Sequence, residues 1–274
     1  MKCIYSKEEI IIVIHNSHLF MHKETKALQT FYDNQATIFS WTRKRHRPEF
    51  DYIVAFIKDI CHTKKSINIL EVGCGDGRLL GFLKSKFVDT TITYTWVDIS
   101  YNLLEIANSN HPDARWVHKD MVTFLQESQP EEYDIIIAVA SFHHLPTVQH
   151  RIIALDGMYH ALQYEWWHIM TNRCYSNRFN TKYRSEIRSA LWKNRVTLWY
   201  YNKNDIFVPW NDNTRNLVSK RLYHIFSIAE LDRLWKASWF TDIIHFYVDN
   251  EGKKTHHEKD GRNLITSMKK IIWV

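Results

Sequence analysis

The sequence predicts an α/β fold built on a mostly parallel sheet, because strand and helix patterns alternate and a glycine turn joins one such pair. Apolar residues 67–70 suit a strand that is covered on both faces. A turn with Gly73, Gly75 and Gly77 follows, and residues 79–83 begin an apolar helical stripe. Glycines in such a turn permit positive φ and a close ligand. This junction therefore predicts a site for a nucleoside-bearing cofactor.

The spacing of the turn narrows the choice of cofactor. The dinucleotide fingerprint needs glycine or alanine three residues after the second glycine, and Arg78 stands there. A P-loop is excluded because no Lys-Ser or Lys-Thr pair closes the turn. Glu71 before the turn and Asp98 at the end of the next strand suit ribose hydroxyls and a cationic amino group. These residues predict S-adenosylmethionine, with a ligand-free glycine turn as the alternative for this motif alone.

Two further segments follow in the order that such a cofactor requires. Asp120 is a candidate acceptor for an adenine amino group, and Met121 would flank the ring. A buried strand at 133–139 ends at polar residues 141–146, the edge where open α/β sheets bind ligands. The predicted cofactor-binding residues are Tyr32, Glu71, Gly73, Cys74, Gly75, Asp98, Ile99, Asp120, Met121 and Ala138.

Taken together, these segments resemble the class I S-adenosylmethionine-dependent methyltransferases. The resemblance implies a Rossmann-like, seven-stranded, mostly parallel sheet with an antiparallel last strand, helices on both faces and an insertion after the fifth strand. It assigns residues 29–274 to the methyltransferase domain and leaves residues 1–28 as an amino-terminal extension of unassigned role.

Bulk properties fit a single cytoplasmic enzyme domain, since 274 residues can bury one large core. The four cysteines have no paired spacing, so neither a metal site nor a disulfide framework is predicted. The apolar run at residues 10–14 is too short to cross a bilayer, so no membrane partner is expected. The oligomeric state is left open.

The net charge of +6 is concentrated in residues 172–221, which hold eleven Lys or Arg against three acids. Many aromatic residues lie among them, and a second basic cluster occupies residues 43–47. Basic residues interleaved with rings suit phosphate contacts and base stacking. A solvated face over core aromatics is the alternative for each cluster. Helix and strand patterns resume at 227–236 and 241–248, where Ser227 and Glu230 predict a capping box.

A closer resemblance rests on residues 31–43 with Pro48, residues 138–146, residues 207–210, and residues 221–226 followed by Glu230 and Leu231. These segments are similar to the methyltransferases that esterify 5-carboxymethyluridine at the wobble position of tRNA. The similarity runs from about residue 31 to 270. It is loose in the basic, aromatic-rich insertion at about residues 172–221. It implies tRNA as the partner. Similar eukaryotic enzymes also work with a small zinc-binding subunit, and the sequence leaves open whether this protein has such an activating partner.

This resemblance implies methyl transfer from a sulfonium to a carboxylate oxygen, which needs no strong general base. Helix capping or packing is the alternative at His143 and His144, and packing on the last helix at Tyr223 and His224. Two other functions stay open: a small-molecule O- or C-methyltransferase, or an inactive RNA-binding relative. The predicted acceptor-pocket residues are Arg43, His143, His144, Arg221, Tyr223 and His224.

Glycine is scarce and tryptophan abundant, at seven and eleven in 274 residues. The usual glycine share is about 7%. Trp96, Trp166, Trp167 and Trp239 stand where the resemblance puts glycine. We hypothesise that these are glycine positions, as if a UGA codon read as glycine in the source had been translated as tryptophan. A lineage with bulky residues at these turns is the alternative, and UGG codons there would exclude the hypothesis.

Overall fold

Strands of one sheet and a separate two-stranded hairpin organise the chain. The computed structural model describes residues 7–43, 47–61, 64–196, 202–211, 217–236 and 238–271. In chain order the strands are β1 Ser66–Val72, β2 Thr91–Asp98, β3 Arg115–His118, β4 Tyr133–Val139, β5 Leu162–Arg173, β6 Asp205–Asn211, β7 Leu217–His224, β8 Thr241–Val248, β9 Lys254–Thr255 and β10 Asn263–Lys269.

The sheet has the order β3-β2-β1-β4-β5-β10-β8-β9. Strands β1 to β5 pair in parallel, while β10 is antiparallel to both of its neighbours, β5 and β8. The predicted seven-stranded, mostly parallel sheet with an antiparallel last strand is therefore confirmed. The two-residue β9 adds an eighth strand at the edge.

Helices cover both faces of this sheet, as predicted. Side chains of a strand alternate between faces, so Leu70 and Val72 pack in one core cluster and Ile67 and Ile69 in another. The helices are α1 Lys7–Thr42, α2 Pro48–Ile60, α3 Arg78–Lys84, α4 Tyr101–Asn110, α5 Met121–Glu127, α6 Val148–Ala161, α7 Asn177–Lys182, α8 Arg184–Val196 and α9 Ile228–Lys236. Side chains of α5, α6 and α9 belong to the first cluster, and side chains of α2, α3 and α4 belong to the second.

The segment after β5 folds as α7, α8 and the β6–β7 hairpin, which share a small apolar core. Strand β7 contacts α1 and the 3₁₀ turn Phe142–His144, so the hairpin lies over the carboxyl ends of the parallel strands. Part of both predicted basic clusters lies outside the described residues: Lys44, Arg45, His46, Trp199, Tyr200, Tyr201, Asp212 and Arg215.

Helix α1 is 36 residues long and includes residues 7–28 of the unassigned extension. The Oδ1 atom of Asp33 accepts a hydrogen bond from the Ser100 hydroxyl at 2.7 Å, at the start of α4. The end of the helix is held by Arg78, whose Nη1 donates to the Arg43 carbonyl at 2.9 Å. Helix α1 is thereby tied to both elements that follow β1 and β2 at the cofactor end of the sheet.

The predicted capping box at α9 is half correct. The Ser227 hydroxyl accepts from the Glu230 backbone N–H at 3.3 Å, as an N-cap should. The Glu230 carboxylate does not return to Ser227, because it accepts from His224 and Asn204 instead. Glu230 therefore forms tertiary contacts that its spacing from Ser227 does not predict.

The tryptophans at suspected glycine positions differ in backbone geometry. Trp239 has φ 65° and its side chain is 67% exposed, which is the environment that favours glycine. Trp96 lies within β2 and is fully buried, and its ring occupies the space beside Gly77. Trp166 and Trp167 lie in β5, one residue after Glu165, which has φ 66°. Among these four tryptophans, only Trp239 has the positive φ that favours glycine.

Replacing Trp239 with glycine should stabilise the protein, because the left-handed conformation costs a non-glycine residue about 1 kcal/mol. We expect the melting temperature to rise by about 2–4 °C. The matched change Trp96→Gly empties a buried site and should cost about 3–5 kcal/mol of unfolding free energy. Calorimetric melting of both variants checks this. A lower melting temperature for Trp239→Gly would contradict the strain argument, and tolerance of Trp96→Gly would favour the recoding hypothesis.

Candidate functional site

The glycine turn has the backbone that its sequence predicted. Gly73, Gly75 and Gly77 have φ of 71°, 59° and 73°. A Cβ on Gly73 would lie 2.2 Å from the Ser141 Cβ, so no larger residue fits there without displacing the β4 end. The Gly73 N–H donates to the Val97 carbonyl at 2.7 Å, which fixes the turn against β2. The turn therefore presents a backbone wall at its glycines, held in place by β2.

Asp98 ends β2 directly beside this wall. Its Oδ2 accepts from the Gly75 N–H and its Oδ1 from the Ser100 N–H, both at 2.8 Å. Burial raises the pKa of this carboxyl to about 6, against the opposing effect of those backbone bonds. Asp98 is thus locked in orientation and is ionised above about pH 6. A carboxylate held in this way can accept hydrogen bonds from ligand hydroxyls.

Glu71 ends β1 on the other side of the turn and lines the same cavity as Asp98. The Tyr94 hydroxyl donates to Glu71 Oε2 at 2.9 Å. Burial raises the pKa of Glu71 to about 8, so this carboxyl is largely protonated at neutral pH in the absence of a ligand. A cationic ligand group beside Glu71 would favour its ionised form.

The next part of the cavity wall comes from the loop after β3. Asp120 is the N-cap of α5, and its Oδ1 accepts from the Val122 and Thr123 N–H groups at 3.0 and 3.1 Å. Ile99, Asp120 and Met121 all line the cavity, as predicted for the adenine end. The capping bonds fix the carboxylate on a helix end that faces the ligand space.

The opposite end of the cavity is closed by a chain of hydrogen bonds. Arg221 Nη1 donates to the Tyr32 hydroxyl at 3.2 Å, and that hydroxyl lies 3.0 Å from His144 Nε2. His144 Nδ1 lies 2.9 Å from the Leu222 carbonyl, which can only accept. Nδ1 therefore carries the hydrogen, and Nε2 accepts from Tyr32. Helix α1, the 142–144 turn and β7 are joined at this point.

His144 and Tyr32 each keep one protonation state across the neutral pH range. Burial lowers the pKa of His144 to about 3, and the positive charge of Arg221 acts in the same direction. Burial also raises the pKa of Tyr32 to about 12. His144 and Tyr32 are therefore both neutral at pH 7. The charge at this end of the cavity comes from arginines.

Two of those arginines, the half-buried Arg43 and the buried Arg221, lie among aromatic rings. Arg43 stacks over Phe39 and Trp210 at 5.2 and 5.7 Å, and Arg221 lies 4.8 Å from the Trp210 ring and 5.0 Å from Phe31. Among the described residues, neither guanidinium forms a salt bridge, and the buried Nε of each has no hydrogen-bond partner. Burial lowers the pKa of Arg43, and Arg221 and Arg47 lower it further. The two charges repel and lack an anion.

His143 lies between His144 and Tyr223, with ring centroids 4.6 and 4.5 Å away. It is 1% exposed, and within the described part of the chain neither ring nitrogen has a hydrogen-bond partner. Burial lowers its pKa well below the usual histidine value, with His144 adding to the effect. His143 is therefore a neutral group that lines the cavity with two unused nitrogen atoms.

The structure brings fourteen of the sixteen predicted site residues to one cavity. The exceptions are Ala138 and His224, which do not line it. Ala138 lies mid-strand in β4, with its side chain in the core, and the cavity begins one residue later at Val139. His224 is fully buried and bonded to Asp205 and Glu230. The cavity residues are Tyr32, Arg43, Glu71, Gly73, Cys74, Gly75, Asp98, Ile99, Asp120, Met121, His143, His144, Arg221 and Tyr223.

Sequence reasoning missed several residues that line the cavity. Phe39 lies within residues 31–43, one of the segments that carry the closer family resemblance. Its ring lies 3.6 Å from the position that a Cβ on Gly75 would occupy. Arg173 ends β5, so its place at the carboxyl edge was a usable signal. Arg47 and Arg262, which directly precede α2 and β10, line the same cavity, and no local pattern indicates that they converge.

A profile of a methyltransferase domain family matches residues 70–164, about a third of the chain. An uncharacterized methyltransferase of Mycobacterium tuberculosis is 30% identical over 92 residues, which are 33% of this chain and 44% of that protein. A non-reducing polyketide synthase of Aspergillus terreus is 28% identical over 137 residues, 46% of this chain and 5% of that protein. The chain thus spans less than half the length of these relatives.

Solved structures share the fold over most of the chain. One is a complex of the Haloferax volcanii Trm112 methyltransferase activator with a methyltransferase, with TM-score 0.60, 11% identity, and coverage of 90% of this chain and 98% of that one. The chain has the class I methyltransferase fold. A second such methyltransferase is the Burkholderia thailandensis 1,6-didemethyltoxoflavin-N1-methyltransferase with bound S-adenosylhomocysteine, with TM-score 0.55, 13% identity, and coverage of 92% and 91%.

The domain match and the fold bear out S-adenosylmethionine as the cofactor of this methyltransferase fold. The residues present fit it, since the glycine wall and the two acids Glu71 and Asp98 face one cavity. Within the described ranges, no cluster of three or more metal-binding side chains occurs. The same ranges contain no helix that is long and apolar enough to cross a membrane.

Binding of S-adenosylmethionine should strengthen as the pH rises from 6.5 to 8. The ligand is cationic and favours ionised Glu71, whose pKa of about 8 means that a proton must leave on binding. One linked proton changes the affinity by at most about tenfold per pH unit. Titration calorimetry in two buffers of different ionisation enthalpy measures the released proton.

The matched control for this pH dependence is Glu71→Gln, which keeps the side-chain shape and cannot ionise. Its affinity should vary little over the same pH range. S-adenosylhomocysteine, which lacks the sulfonium charge, should show a weaker pH dependence in the wild type. Equal pH profiles for the two ligands would show that Glu71 does not sense the sulfonium charge.

Proposed function

We propose that this protein is an S-adenosylmethionine-dependent methyltransferase that esterifies the carboxylate of 5-carboxymethyluridine at the wobble position of tRNA. The observation that carries the acceptor chemistry is the pair of guanidiniums of the half-buried Arg43 and the buried Arg221, which have no anionic partner among the described residues. Buried charges are costly unless they are paired. An acceptor carboxylate would supply the missing negative charge and accept bidentate hydrogen bonds.

The reaction needs little from the protein beyond alignment and exclusion of water. An oxygen of the ionised carboxylate attacks the methyl carbon, the carbon–sulfur bond breaks with its electrons returning to sulfur, and a methyl ester and S-adenosylhomocysteine result. No proton moves, which agrees with the neutral His143 and His144 at the acceptor end. The rings of Tyr32, Phe39 and Tyr223 wall the cavity and strengthen the electrostatic contacts by excluding water.

Recognition of RNA is supported by the exposed face of the insertion. Trp192 on α8 is 64% exposed, and Leu191 beside it is 47% exposed. Exposed basic side chains also lie on α7, on α8, on β7 and just before β6. Phosphate contacts and stacking on a free ring are the two ingredients of single-strand binding. The exposed basic residues are Arg178, Lys182, Arg184, Arg188, Lys203 and Lys220.

A small-molecule acceptor is the second candidate. Tyr32 bridges α1 to the 142–144 turn and Arg221, which narrows the cavity at its acceptor end. A free carboxylic acid would satisfy Arg43 and Arg221 as well as a modified uridine. The likeness to a methyltransferase that is described as acting on 1,6-didemethyltoxoflavin keeps this class in view.

A small activating subunit is also part of the proposal. Its support is the structural likeness to the archaeal methyltransferase that was solved with the activator Trm112. Co-purification with a candidate subunit from the same genome, followed by measurement of the affinity for S-adenosylmethionine with and without it, tests this part alone.

The proposed reaction is tested with methyl-labelled cofactor and tRNA that carries 5-carboxymethyluridine. Nucleoside mass spectrometry should find the label in the methyl ester, and mild alkali should release it as methanol, which distinguishes an ester from N- or C-methylation. The matched control is the same tRNA with unmodified uridine at the wobble position, which should stay unlabelled. Label confined to free metabolites would favour the small-molecule function. Cofactor binding without any transfer would favour an inactive RNA-binding relative.

A further inference from the structure

Four charged side chains form a buried cluster beneath the hairpin, outside the cavity. His224 Nδ1 lies 2.6 Å from Asp205 Oδ1, and His224 Nε2 lies 2.7 Å from Glu230 Oε1. Arg151 Nη2 lies 3.5 Å from the same Asp205 oxygen. The side chains of Arg151, Asp205 and His224 are at most 3% exposed. We name these four residues the buried quartet.

The hydrogen bonds constrain where the hydrogens of this quartet lie. An ionised carboxylate only accepts, so each ring nitrogen of His224 must carry a hydrogen to bond two such groups. Burial raises the pKa of Glu230, but the bonds from His224 and Asn204 and the positive charge of Arg151 together outweigh it, and the net direction is downward. His224 is therefore held through both of its ring nitrogens.

The quartet joins the acceptor hairpin to the turn that carries the two cavity histidines. Asp205 begins β6 and His224 ends β7, while Arg151 comes from α6. Arg151 Nε and Nη2 both donate to the Leu145 carbonyl, at 3.2 and 2.9 Å. Leu145 directly follows His144. The Phe226 ring stacks on Phe142 of the same turn, with centroids 5.6 Å apart.

A second tether between the same elements lies on the cavity side. It is the bond from His144 Nδ1 to the Leu222 carbonyl, one residue from Arg221 and two from His224. The hairpin is thus fixed to the 142–145 region at two points, one within the cavity and one behind it. A displacement of the quartet must also shift the bond between His144 and Leu222, because only Tyr223 separates Leu222 from His224 on β7.

We infer that His224 is a positioning residue: held between Asp205 and Glu230, it sets the distance between the acceptor arginine Arg221 and the histidine turn through Arg151 and Leu145. Its effect on the rate rests on the proposed function, but its effect on geometry does not. The cofactor half of the cavity, built on β1, β2 and the glycine turn, makes no contact with the quartet among the bonds described above. Cofactor affinity is therefore expected to be independent of it.

The test uses the full-length protein with ¹⁵N-labelled histidine. Imidazole spectra of the wild type should show His224 protonated on both nitrogens and His144 protonated on Nδ1 alone. Arg151→Lys, which cannot make the same two bonds to Leu145, should shift or broaden the His144 signals. It should leave the affinity for S-adenosylmethionine within about twofold and lower the transfer rate by about 10- to 100-fold, as a small misplacement does.

Two further variants keep the inference falsifiable if Arg151→Lys does not fold. Glu230→Gln can donate to Nε2 of a neutral His224, so the His224 spectrum should lose one N–H while the His144 signals and the rate stay close to wild type. Asp232→Asn is the matched control, because Asp232 lies 3.1 Å from Nε2 of another histidine, His245 on β8. It should change neither the His144 signals nor the rate.

Unaltered His144 signals in Arg151→Lys, with only a lower melting temperature, would overturn the inference and leave the quartet a purely structural cluster. Altered His144 signals and a lowered rate in Glu230→Gln, in which a bond to His224 Nε2 is kept, would also overturn it. If the wild type does not methylate tRNA, the rate measurement fails for every variant. The imidazole spectra still show whether the quartet positions His144. The failure of the proposed function is therefore distinguishable from the failure of this inference.

Discussion

Arg221→Met should reduce methyl transfer to a carboxylate acceptor by about three orders of magnitude. Arg221 is 6% exposed and is the only group that the described structure shows donating to the Tyr32 hydroxyl. Its loss removes a charge-assisted contact to the acceptor, worth about 1.5–3 kcal/mol, and also releases the Tyr32 bridge that closes the cavity. Single-turnover rates with saturating cofactor measure the effect on the chemical step.

The control for Arg221→Met is the same substitution at Arg233, which is exposed on α9. That variant should keep the wild-type rate within about twofold, since exposed charges contribute little. The affinity of Arg221→Met for S-adenosylmethionine should stay near the wild-type value. A rate loss of less than about tenfold would show that Arg221 does not hold the acceptor.

Asp98→Asn should weaken the binding of S-adenosylmethionine by about 100-fold, which corresponds to about 2.7 kcal/mol. Both Asp98 oxygens accept from backbone N–H groups, of Gly75 and Ser100. An amide must turn its NH₂ group toward one of these donors, so the turn loses a bond and the ligand hydroxyls lose a charged acceptor. Titration calorimetry at pH 8, where the wild-type carboxylate is ionised, measures the change.

Asp113→Asn is the companion variant, because Asp113 is an exposed acid whose partner is Lys84. Its affinity for the cofactor should not change. The unfolding free energy of Asp98→Asn should also fall, since the amide leaves a buried N–H without a partner. Cofactor affinity that stays within about threefold in Asp98→Asn would remove this residue from the binding site.

The sequence was sufficient for the sheet and the cofactor half of the cavity because their signals are local. Gly73, Gly75 and Gly77 stand at alternate positions of one turn, and Glu71 and Asp98 lie at the carboxyl ends of strands that are recognisable from their apolar runs. Parallel strands bring such ends to one edge whatever the loops contain. Local pattern and tertiary position therefore coincide in this half of the molecule.

The acceptor half was less predictable because its residues meet through tertiary contacts. Arg43, Arg173 and Arg262 come from the end of α1, the end of β5 and the start of β10. His224 was grouped with the acceptor residues by its neighbours in the sequence, but β7 alternation turns it toward Asp205. The contrast with Tyr223, which does line the cavity, shows that one step along a strand decides between ligand contact and packing.

The wobble-uridine substrate stays a prediction for the same reason. Specificity for a nucleoside within RNA depends on surfaces beyond the cavity, and part of the basic insertion, such as residues 197–201 and 212–216, lies outside the described residues. What the described part supplies is the charge and shape of the acceptor end. The acceptor end of the cavity fits an anionic group, whether a small molecule or a modified uridine carries it.

Helix α1 has a kinetic consequence for the catalytic cycle. It supplies Leu28, Tyr32, Phe39 and Arg43 to a cavity that also holds the adenosyl site, and Asp33 fastens it to the start of α4. One helix is therefore a shared wall for both ligands. On the proposed function, we therefore expect departure of S-adenosylhomocysteine to loosen contacts that also shape the acceptor end, and the methyl donor to load before the acceptor.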